Sequence, residues 1–260
     1  MAPQISLQRE LYGLWLMRPM YLNLFVLFYH FSYNLYMTFA KQILDFYFSL
    51  PRELPLPKSV ETIYPFDNEE TREVMQTFFH KYYDDSKPRT YLIGINPGRL
   101  GSGVTGIGFS DAYHLENYCG IPNSFDKRVE ISAAFMFEMI EAYGGVEKFY
   151  ADFFFTTVMP LGLLKNEKNY NYYDDKETAL ALNPFITKTL LKQMSFPQAK
   201  PNIICVGTGK NLKFLQSFNQ KHNCFESIDV LPHPRWVMQY RRKEKEKYID
   251  AYLDVLKRAI

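Results

Sequence analysis

The first of two segments that could do chemistry reads G-I-N-P-G over residues 94–98 and continues as a glycine-rich stretch to residue 109. Glycine is needed where the backbone turns with positive φ or approaches a ligand closely. Asn96 can hold a water or a substrate oxygen, and Pro97 stiffens the turn that presents it. The segment has neither the Gly-Lys-Ser/Thr of a Walker loop nor a G-x-G-x-x-G that opens a helix. It therefore predicts a binding turn, although a flexible loop or a simple phosphate cradle has the same composition.

The second segment reads P-H-P-R-W-V-M over residues 232–238. His233 lies between two prolines, which restrict its backbone. An ordinary loop histidine is the usual interpretation of an isolated His, but Trp236, Val237 and Met238 follow as a hydrophobic run that we expect at the surface. Such a run suits an apolar wedge that enters a DNA duplex and holds it open. The segment thus predicts a histidine beside a DNA-binding wedge.

Two further features concern phosphate binding. Lys210 closes G-T-G-K over residues 207–210, which suits either an anion site at the start of a helix or a plain turn with a lysine in solvent. The net charge is only +2, yet basic residues cluster between residues 235 and 247, with Arg241 among them. A local basic patch on a near-neutral protein is a common form of phosphate contact, and a solvated terminal helix is the alternative.

The elements that must position these segments follow from hydrophobic periodicity. Short apolar runs predict buried strands over residues 90–94, 153–156, 202–206 and 225–231. Helical spacing predicts helices over residues 39–49, 68–83, 128–143, 176–194, 210–220 and 239–258, with Asn68 as an N-cap and Pro184 as a kink or break. The pattern predicts an α/β fold, a single domain with a central four-stranded parallel sheet flanked by helices. Ligands bind beyond the carboxyl ends of such strands, and each unusual segment follows a strand.

Composition narrows the class of protein. Hydrophobic residues make 47% of the chain and charged residues 22%, which is ordinary for a soluble globular protein. Aromatic residues make 17%, which suits a core or stacking on bases. Cys119, Cys205 and Cys224 lack the spacing of a disulfide framework, a zinc site or an iron–sulfur cluster. We therefore expect no metal and no cofactor, and a cytoplasmic location.

Residues 1–36 form an apolar N-terminal extension. Its most hydrophobic part, residues 20–36, is interrupted by polar side chains and has no cleavage site of a signal peptide. It could be a weak membrane anchor, an extra helix that covers the domain, or sequence upstream of the functional protein. We expect the last of these, with Met37 as the start and residues 37–260 as the functional domain.

Together the two segments resemble the uracil-DNA glycosylase superfamily, and most closely its single-strand-selective monofunctional branch. That branch carries G-M-N-P-G, then Gly, Thr-Gly and Phe at set spacings, and a second motif that begins His-Pro. The matching positions here are Asn96, Pro97, Gly98, Gly101, Thr105, Gly106, Phe109, His233 and Pro234. The mismatch-specific branch shares G-I-N-P-G but has Asn in place of the histidine.

The resemblance implies an enzyme that hydrolyses the N-glycosidic bond of uracil or a related deaminated or modified base in DNA. Asn96 would position the attacking water, and His233 would donate a hydrogen bond to the base O2 and stabilise the departing anion. Phe109 would stack on the extruded base, and backbone N–H groups near Ile95 and Gly98 would read its carbonyls. The implied DNA contacts, wedge included, are Arg235, Trp236, Val237, Met238, Lys210 and Arg241. We expect a monomer that acts on single- or double-stranded DNA in base excision repair, with no membrane association of residues 37–260.

Two departures from the family pattern bear on activity. The family reads the uracil edge with an Asn before x-x-Pro-Leu, where this sequence has Thr157. Because Thr offers one rotatable hydroxyl where Asn offers a donor and an acceptor, we expect relaxed base discrimination that admits 5-substituted uracils or deaminated purines. Asn96 stands where other branches have Asp, so slower chemistry is expected. Asp111 could assist as an acid, although an N-cap or turn role is simpler.

Other classes of protein fit parts of the sequence. A non-catalytic nucleic-acid-binding protein could keep the fold, but retention of both Asn96 and His233 argues against it. A membrane-associated protein would use residues 11–36. A small-molecule α/β hydrolase would need a nucleophile elbow or a Ser/His/Asp set, and neither accompanies the glycine-rich segment.

Overall fold

Helices and strands alternate along the chain largely as the periodicity predicts. The computed structural model describes residues 37–260, and the predicted N-terminal extension over residues 1–36 lies outside the described residues. The helices are α1 (Phe39–Phe48), α2 (Glu69–Tyr83), α3 (Ser102–Thr105), α4 (Ala112–Asn117), α5 (Ile131–Tyr143), α6 (Val146–Asp152), α7 (Lys176–Met194), α8 (Lys210–His222), α9 (Pro234–Tyr240) and α10 (Lys245–Arg258). The strands are β1 (Glu61–Ile63), β2 (Arg89–Gly94), β3 (Phe153–Thr157), β4 (Gly162–Lys165), β5 (Lys168–Tyr170), β6 (Ala199–Val206) and β7 (Ser227–Leu231).

The central sheet has four parallel strands in the order β3-β2-β6-β7. Every residue of β2 and β3 is buried, as expected of strands covered on both faces. Helices flank the sheet, so the predicted fold class is confirmed. The order places β2 and β6 at the centre, although β3 precedes β6 in the chain. The chain therefore turns to the opposite side after β3, which creates the crevice where such sheets bind ligands.

Capping residues explain where several helices begin and end. Asn68 caps α2 as predicted, because its side chain accepts a hydrogen bond from the Thr71 backbone N–H at 3.1 Å. Gly144, with φ of 124°, ends α5. Pro184 lies inside α7 without ending it, so the predicted break does not occur. The helix predicted over residues 239–258 is two helices, α9 and α10, joined by a short 3-10 turn at Arg242–Glu244.

Aromatic side chains fill much of the core beneath the sheet. Phe39 of α1 packs its ring 5.0 Å from that of Phe154, which in turn lies 5.0 Å from Tyr91 on the neighbouring strand. Tyr83 closes the same cluster at the end of α2. All four side chains are almost fully buried. The high aromatic content therefore serves packing to a large degree, and it indicates little about stacking on bases.

A second, antiparallel sheet was not predicted from the sequence. It has the order β1-β4-β5, and β4 and β5 form a hairpin between the strand predicted over residues 153–156 and the helix predicted over residues 176–194. Asn166 and Glu167 form its two-residue turn with positive φ values of 52° and 60°, which is the geometry of a type I′ hairpin turn. The hairpin carries residues 168–172 to the end of strand β2.

Within residues 37–260 the structure has no helix both long and apolar enough to cross a membrane. In the same part of the chain no group of three or more His, Cys, Asp and Glu side chains converges in the manner of a metal site.

Candidate active site

The carboxyl ends of the central strands meet at one edge of the parallel sheet. Gly94 at the end of β2 is in register with Thr157 at the end of β3. A cavity of about 350 Å³ opens beside them. Its walls include eight of the residues predicted for the site, namely Ile95, Asn96, Gly98, Phe109, Thr157, His233, Arg235 and Trp236. The two motifs are more than 130 residues apart in the sequence, yet they face one cavity.

The amide of Asn96 is fixed by backbone groups of the β5 hairpin. Its Nδ2 donates to the carbonyl oxygen of Tyr170 at 3.1 Å and more weakly to that of Pro97 at 3.4 Å. Its Oδ1 accepts a long hydrogen bond, 3.4 Å, from the backbone N–H of Tyr172. These bonds define which end of the amide is oxygen. Because a carbonyl oxygen has two lone pairs, Oδ1 retains the capacity to accept a second donor, such as a water.

Phe109 enters the cavity from a backbone conformation that is rare for its residue type. Its φ is 53°, in the left-handed region. Its ring lies 5.1 Å from that of Phe155 and 5.9 Å from the imidazole of His233. A Cβ on Gly94 would lie 3.0 Å from the ring. Glycine at the end of β2 thus leaves the space that the Phe109 ring occupies.

His233 is the N-cap of α9, and this role fixes its tautomer. The Nδ1 atom accepts a hydrogen bond from the backbone N–H of Arg235 at 3.2 Å. Burial, reinforced by the nearby Arg235 guanidinium, lowers the pKa of His233 to about 4. The ring is therefore neutral at physiological pH, with its proton on Nε2. The structure gives Nε2 no hydrogen-bond partner among residues 37–260, so this N–H is left to donate to a ligand.

Thr157 is buried in the cavity wall at the end of strand β3. Its hydroxyl donates to the carbonyl oxygen of Met159 at 2.8 Å. A hydroxyl has a single proton, so towards the cavity Thr157 offers only an acceptor. The sequence suggested a hydroxyl that could either donate or accept. The hydrogen bond to Met159 removes the donor role.

Two residues of the predicted wedge, Val237 and Met238, lie in helix α9, and for these two the prediction is wrong. Val237 is fully buried and Met238 packs against the core, so these two side chains cannot enter DNA while α9 stays folded. The physical reason is that Pro234 begins a helix directly after the His233 N-cap, and helical spacing turns Val237 inward. The residues of α9 that line the cavity are Arg235, Trp236, Gln239 and Tyr240. Trp236 is 40% exposed and Tyr240 66%.

Asp111 is a structural residue. It is fully buried and caps α4, since its Oδ1 accepts from the His114 backbone N–H at 2.9 Å. Its Oδ2 accepts from the backbone N–H of Glu130 at 2.7 Å. Burial alone would raise the pKa of Asp111, but the hydrogen bonds from His114 and Glu130 outweigh it and hold this pKa below its usual value. Asp111 is absent from the cavity walls, so the geometry favours the N-cap role over that of an assisting acid.

Lys210 lies outside the first cavity and faces an adjoining one of about 410 Å³. The two cavities share Ile95, His233 and Trp236. The Nζ of Lys210 donates to the carbonyl oxygen of Tyr173 at 3.2 Å. Arg241 lies farther along, with its guanidinium 5.5 Å from the Trp236 ring. Both cations therefore border the site rather than line its centre.

Several residues of the cavity wall were missed from the sequence. Glu130 is one of them, and it forms an ion pair with Arg235 at 3.0 Å. Asn169 is another, and its Oδ1 accepts from the Arg99 backbone N–H at 2.9 Å. Gln239 and Tyr240 complete the face of α9. An available signal for these two was their spacing of three and four residues from Trp236, which places all three on one side of a helix.

The comparison with known proteins decides the family. A profile of the Uracil DNA glycosylase superfamily matches residues 80–257. The chain belongs to this superfamily. Among solved structures, the crystal structure of wild-type SMUG2 from Pedobacter heparinus is 40% identical, with a TM-score of 0.82 over 85% of this chain and 97% of that chain. A search of curated proteins finds no match.

Membership in the uracil-DNA glycosylase superfamily confirms the resemblance carried by the two motifs. The neighbour named SMUG2 agrees with the predicted branch. The chain is therefore a DNA glycosylase of the uracil-DNA glycosylase type. Its cavity brings Asn96, Phe109 and His233 together at one edge of the parallel sheet.

Proposed function

We propose that this protein removes uracil and related deaminated or modified bases from DNA by hydrolysis of the N-glycosidic bond, as a monofunctional enzyme of base excision repair. One observation carries the proposal: a backbone-fixed Asn96 and a neutral His233 of defined tautomer line the same cavity. The first suits the positioning of a water and the second suits the stabilisation of a departing base.

The departing base is stabilised by His233. When the N-glycosidic bond breaks, positive charge develops on the sugar and negative charge on the base, where the O2 atom carries part of it. The Nε2–H of His233 donates to this O2, and the donor is already in place before the charge develops. The bond pair stays with the base, and the ring keeps its own proton because its lowered pKa makes it a hydrogen-bond donor in the neutral form.

The attacking water is held by Asn96. Its Oδ1 accepts one proton of the water and directs the water oxygen at the anomeric carbon. An amide is a weak base, so it orients the nucleophile without deprotonating it, and the proton leaves to solvent as the new C–O bond forms. Slow turnover relative to branches with a carboxylate at this position is the consequence.

Base selection rests on an acceptor at Thr157. Because its proton is given to Met159, its Oγ1 can accept the N3–H of uracil. A single acceptor fits any base that presents an N–H between two carbonyls, which xanthine shares with uracil. Relaxed discrimination follows from this arrangement.

DNA outside the cavity meets the exposed face of α9. Trp236 and Tyr240 present aromatic surface at the cavity rim, where it can stack on bases that lose their neighbour when the target is extruded. Lys210 and Arg241 flank this rim and suit phosphate contacts. The insertion role that the sequence assigned to Val237 and Met238 thus passes to the outer side of the same helix.

The test is cleavage of DNA that contains one modified base. Single- and double-stranded oligonucleotides with uracil, xanthine or cytosine are incubated with the full chain, and alkali then breaks the strand at abasic sites. We expect cleavage at uracil and at xanthine, with loss of both in Asn96→Ala. Thr157→Ser serves as the matched control for Thr157→Val, since only Ser keeps the acceptor.

The outcomes separate the alternatives. Binding of these oligonucleotides without abasic sites would favour a non-catalytic nucleic-acid-binding protein. Activity confined to uracil would contradict the relaxed discrimination and leave the reaction class intact.

A further inference from the structure

An ion pair in the cavity wall has no part in the reaction described above. The Nη2 of Arg235 lies 3.0 Å from the Oε1 of Glu130, and both residues line the cavity. The side chain of Glu130 is 11% exposed and that of Arg235 is 39% exposed. Because the Glu130 carboxylate is nearly buried, salt and solvent screen its attraction for Arg235 less than they screen a surface salt bridge.

Glu130 is itself held firmly at the start of α5. Its Oε2 accepts from the backbone N–H groups of Ser132 at 2.9 Å and Ala133 at 3.0 Å, so the carboxylate is the N-cap of that helix. Its backbone N–H donates to the buried Asp111. The carboxylate is therefore a fixed point of the wall, and Arg235 is the partner that it restrains.

Arg235 contacts both Glu130 and His233. Its side chain forms the ion pair with Glu130, and its backbone N–H forms the hydrogen bond with His233. Arg235 lies in the first turn of α9, and its backbone N–H is the donor to Nδ1 of His233. If the first turn moves, this donor moves with it, and the imidazole loses the contact that keeps its proton on Nε2. The side-chain ion pair and the backbone hydrogen bond thus act on the same residue.

Glu130 also connects to the other motif. Asp111, which accepts the Glu130 backbone N–H, comes two residues after Phe109. The rings of Phe109 and His233 lie 5.9 Å apart in the cavity. Glu130 lies outside both motifs. It therefore contacts both the segment that carries Phe109 and the helix that His233 caps.

We propose that Glu130 is a positioning residue of the active site, which holds Arg235 so that its backbone N–H keeps the His233 ring in the orientation and tautomer needed for the departing base. The catalytic consequence rests on the proposed function, but the state of the His233 ring can be measured without any reaction. The competing assignment is that Arg235 leaves Glu130 and contacts a DNA phosphate, as the sequence suggested.

Glu130→Gln is the sharpest variant. An amide keeps one oxygen for the N-cap of α5, and its NH₂ group then points a donor at the guanidinium, which is also a donor. The ion pair is lost while the helix start is kept. Glu138→Gln is the matched control, because Glu138 lies on the same helix and pairs with Lys245 away from the cavity. Arg235→Met removes the same ion pair from the other side and leaves the N-cap untouched.

Three measurements are made on each protein: the ¹⁵N shifts of the His233 ring, the single-turnover rate at saturating uracil DNA, and the DNA Kd. For Glu130→Gln and Arg235→Met we expect the two ring-nitrogen shifts to converge as tautomers mix. The rate should fall roughly 10–100-fold, as a misplaced group costs. The Kd of Glu130→Gln should stay within about twofold of wild type, because the carboxylate is turned towards Arg235 and the start of α5 rather than towards DNA. Glu138→Gln should match wild type in all three.

Unchanged ring shifts and rate in Glu130→Gln, together with tighter DNA binding, would overturn the proposal and assign Arg235 to a phosphate. Unchanged ring shifts in both variants would overturn it whatever the activity. A wild-type protein without glycosylase activity whose ring shifts still respond to Glu130→Gln would refute the proposed function and leave the positioning role standing.

Discussion

The two walls of the cavity hold their polar side chains by different means. Asn96 is fixed by backbone groups, the Tyr170 carbonyl and the Tyr172 N–H, on an antiparallel hairpin. His233 is fixed by the backbone N–H of Arg235, and the Arg235 side chain depends in turn on the Glu130 carboxylate. The first wall therefore tolerates changes in its neighbours' side chains, whereas the second depends on charge. This difference predicts distinct responses to mutation and pH.

The largest effect is expected at the Asn96 wall. In Asn96→Asp a carboxylate oxygen would replace Nδ2 and face the carbonyl oxygens of Tyr170 and Pro97, which it repels. The variant should therefore lose activity by roughly 10²–10⁴-fold, the range of a lost acid–base or orienting group, although a carboxylate is the stronger base. Single-turnover cleavage of uracil DNA measures this, with Asn96→Ala beside it. A gain of activity in Asn96→Asp would show that the backbone anchor does not restrain this residue.

The next effect belongs to the His233 wall. His233→Ala removes the donor to the departing base and should slow the single-turnover rate by about 10²–10³-fold. His233→Asn keeps a donor and an N-cap acceptor, so it should recover part of the loss. Equal rates for the two variants would mean that no hydrogen bond from this position reaches the base.

Smaller effects are expected from substitutions in helix α9. A change on its exposed face should alter DNA affinity, and a change on its buried face should alter stability. Tyr240→Ala should weaken binding to single-stranded DNA by about 5–150-fold, which corresponds to one lost base–aromatic stack of about 1–3 kcal/mol. Val237→Ala should lower the free energy of unfolding by about 1–3 kcal/mol, as a core truncation does, and leave DNA affinity unchanged. Fluorescence anisotropy and urea unfolding of both variants make the comparison. Weaker binding in Val237→Ala alone would restore the wedge that the sequence predicted.

The smallest effect is a pH dependence of stability. The folded pKa of His233 is about 4 and the ordinary value is 6.5, so the unfolded chain binds this proton more readily. The residue therefore costs stability as the pH falls from about 6.5 towards 4 and costs none above that range. Each pKa unit corresponds to about 1.4 kcal/mol. Urea unfolding between pH 7 and pH 5 should show a larger loss for wild type than for His233→Asn, and identical losses would place the ring in solvent.

Sequence reasoning predicted the parallel sheet because its strands are buried on both faces and appear as short apolar runs. It missed the β4–β5 hairpin because these strands are short and half polar. Their turn also has Asn166–Glu167 where the usual signal is Asn-Gly. The inward direction of Val237 was missed because the hydrophobic run was interpreted as an exposed wedge, although Pro234 marks a helix start. The motifs thus predicted which residues meet, while the means that fix them depend on contacts distant in sequence, such as Glu130 with Arg235.

Because backbone groups at positions 170 and 172 hold Asn96, the residue types at these two positions can change without loss of the contacts to Asn96. Any residue except proline at position 172 supplies the N–H, and every residue at position 170 supplies the carbonyl. Related proteins can therefore share this half of the site while their hairpin sequences diverge. A sequence alignment would therefore show little similarity in the hairpin. Its hydrogen bonds to the Asn96 amide would be recognised only when the backbones are superposed.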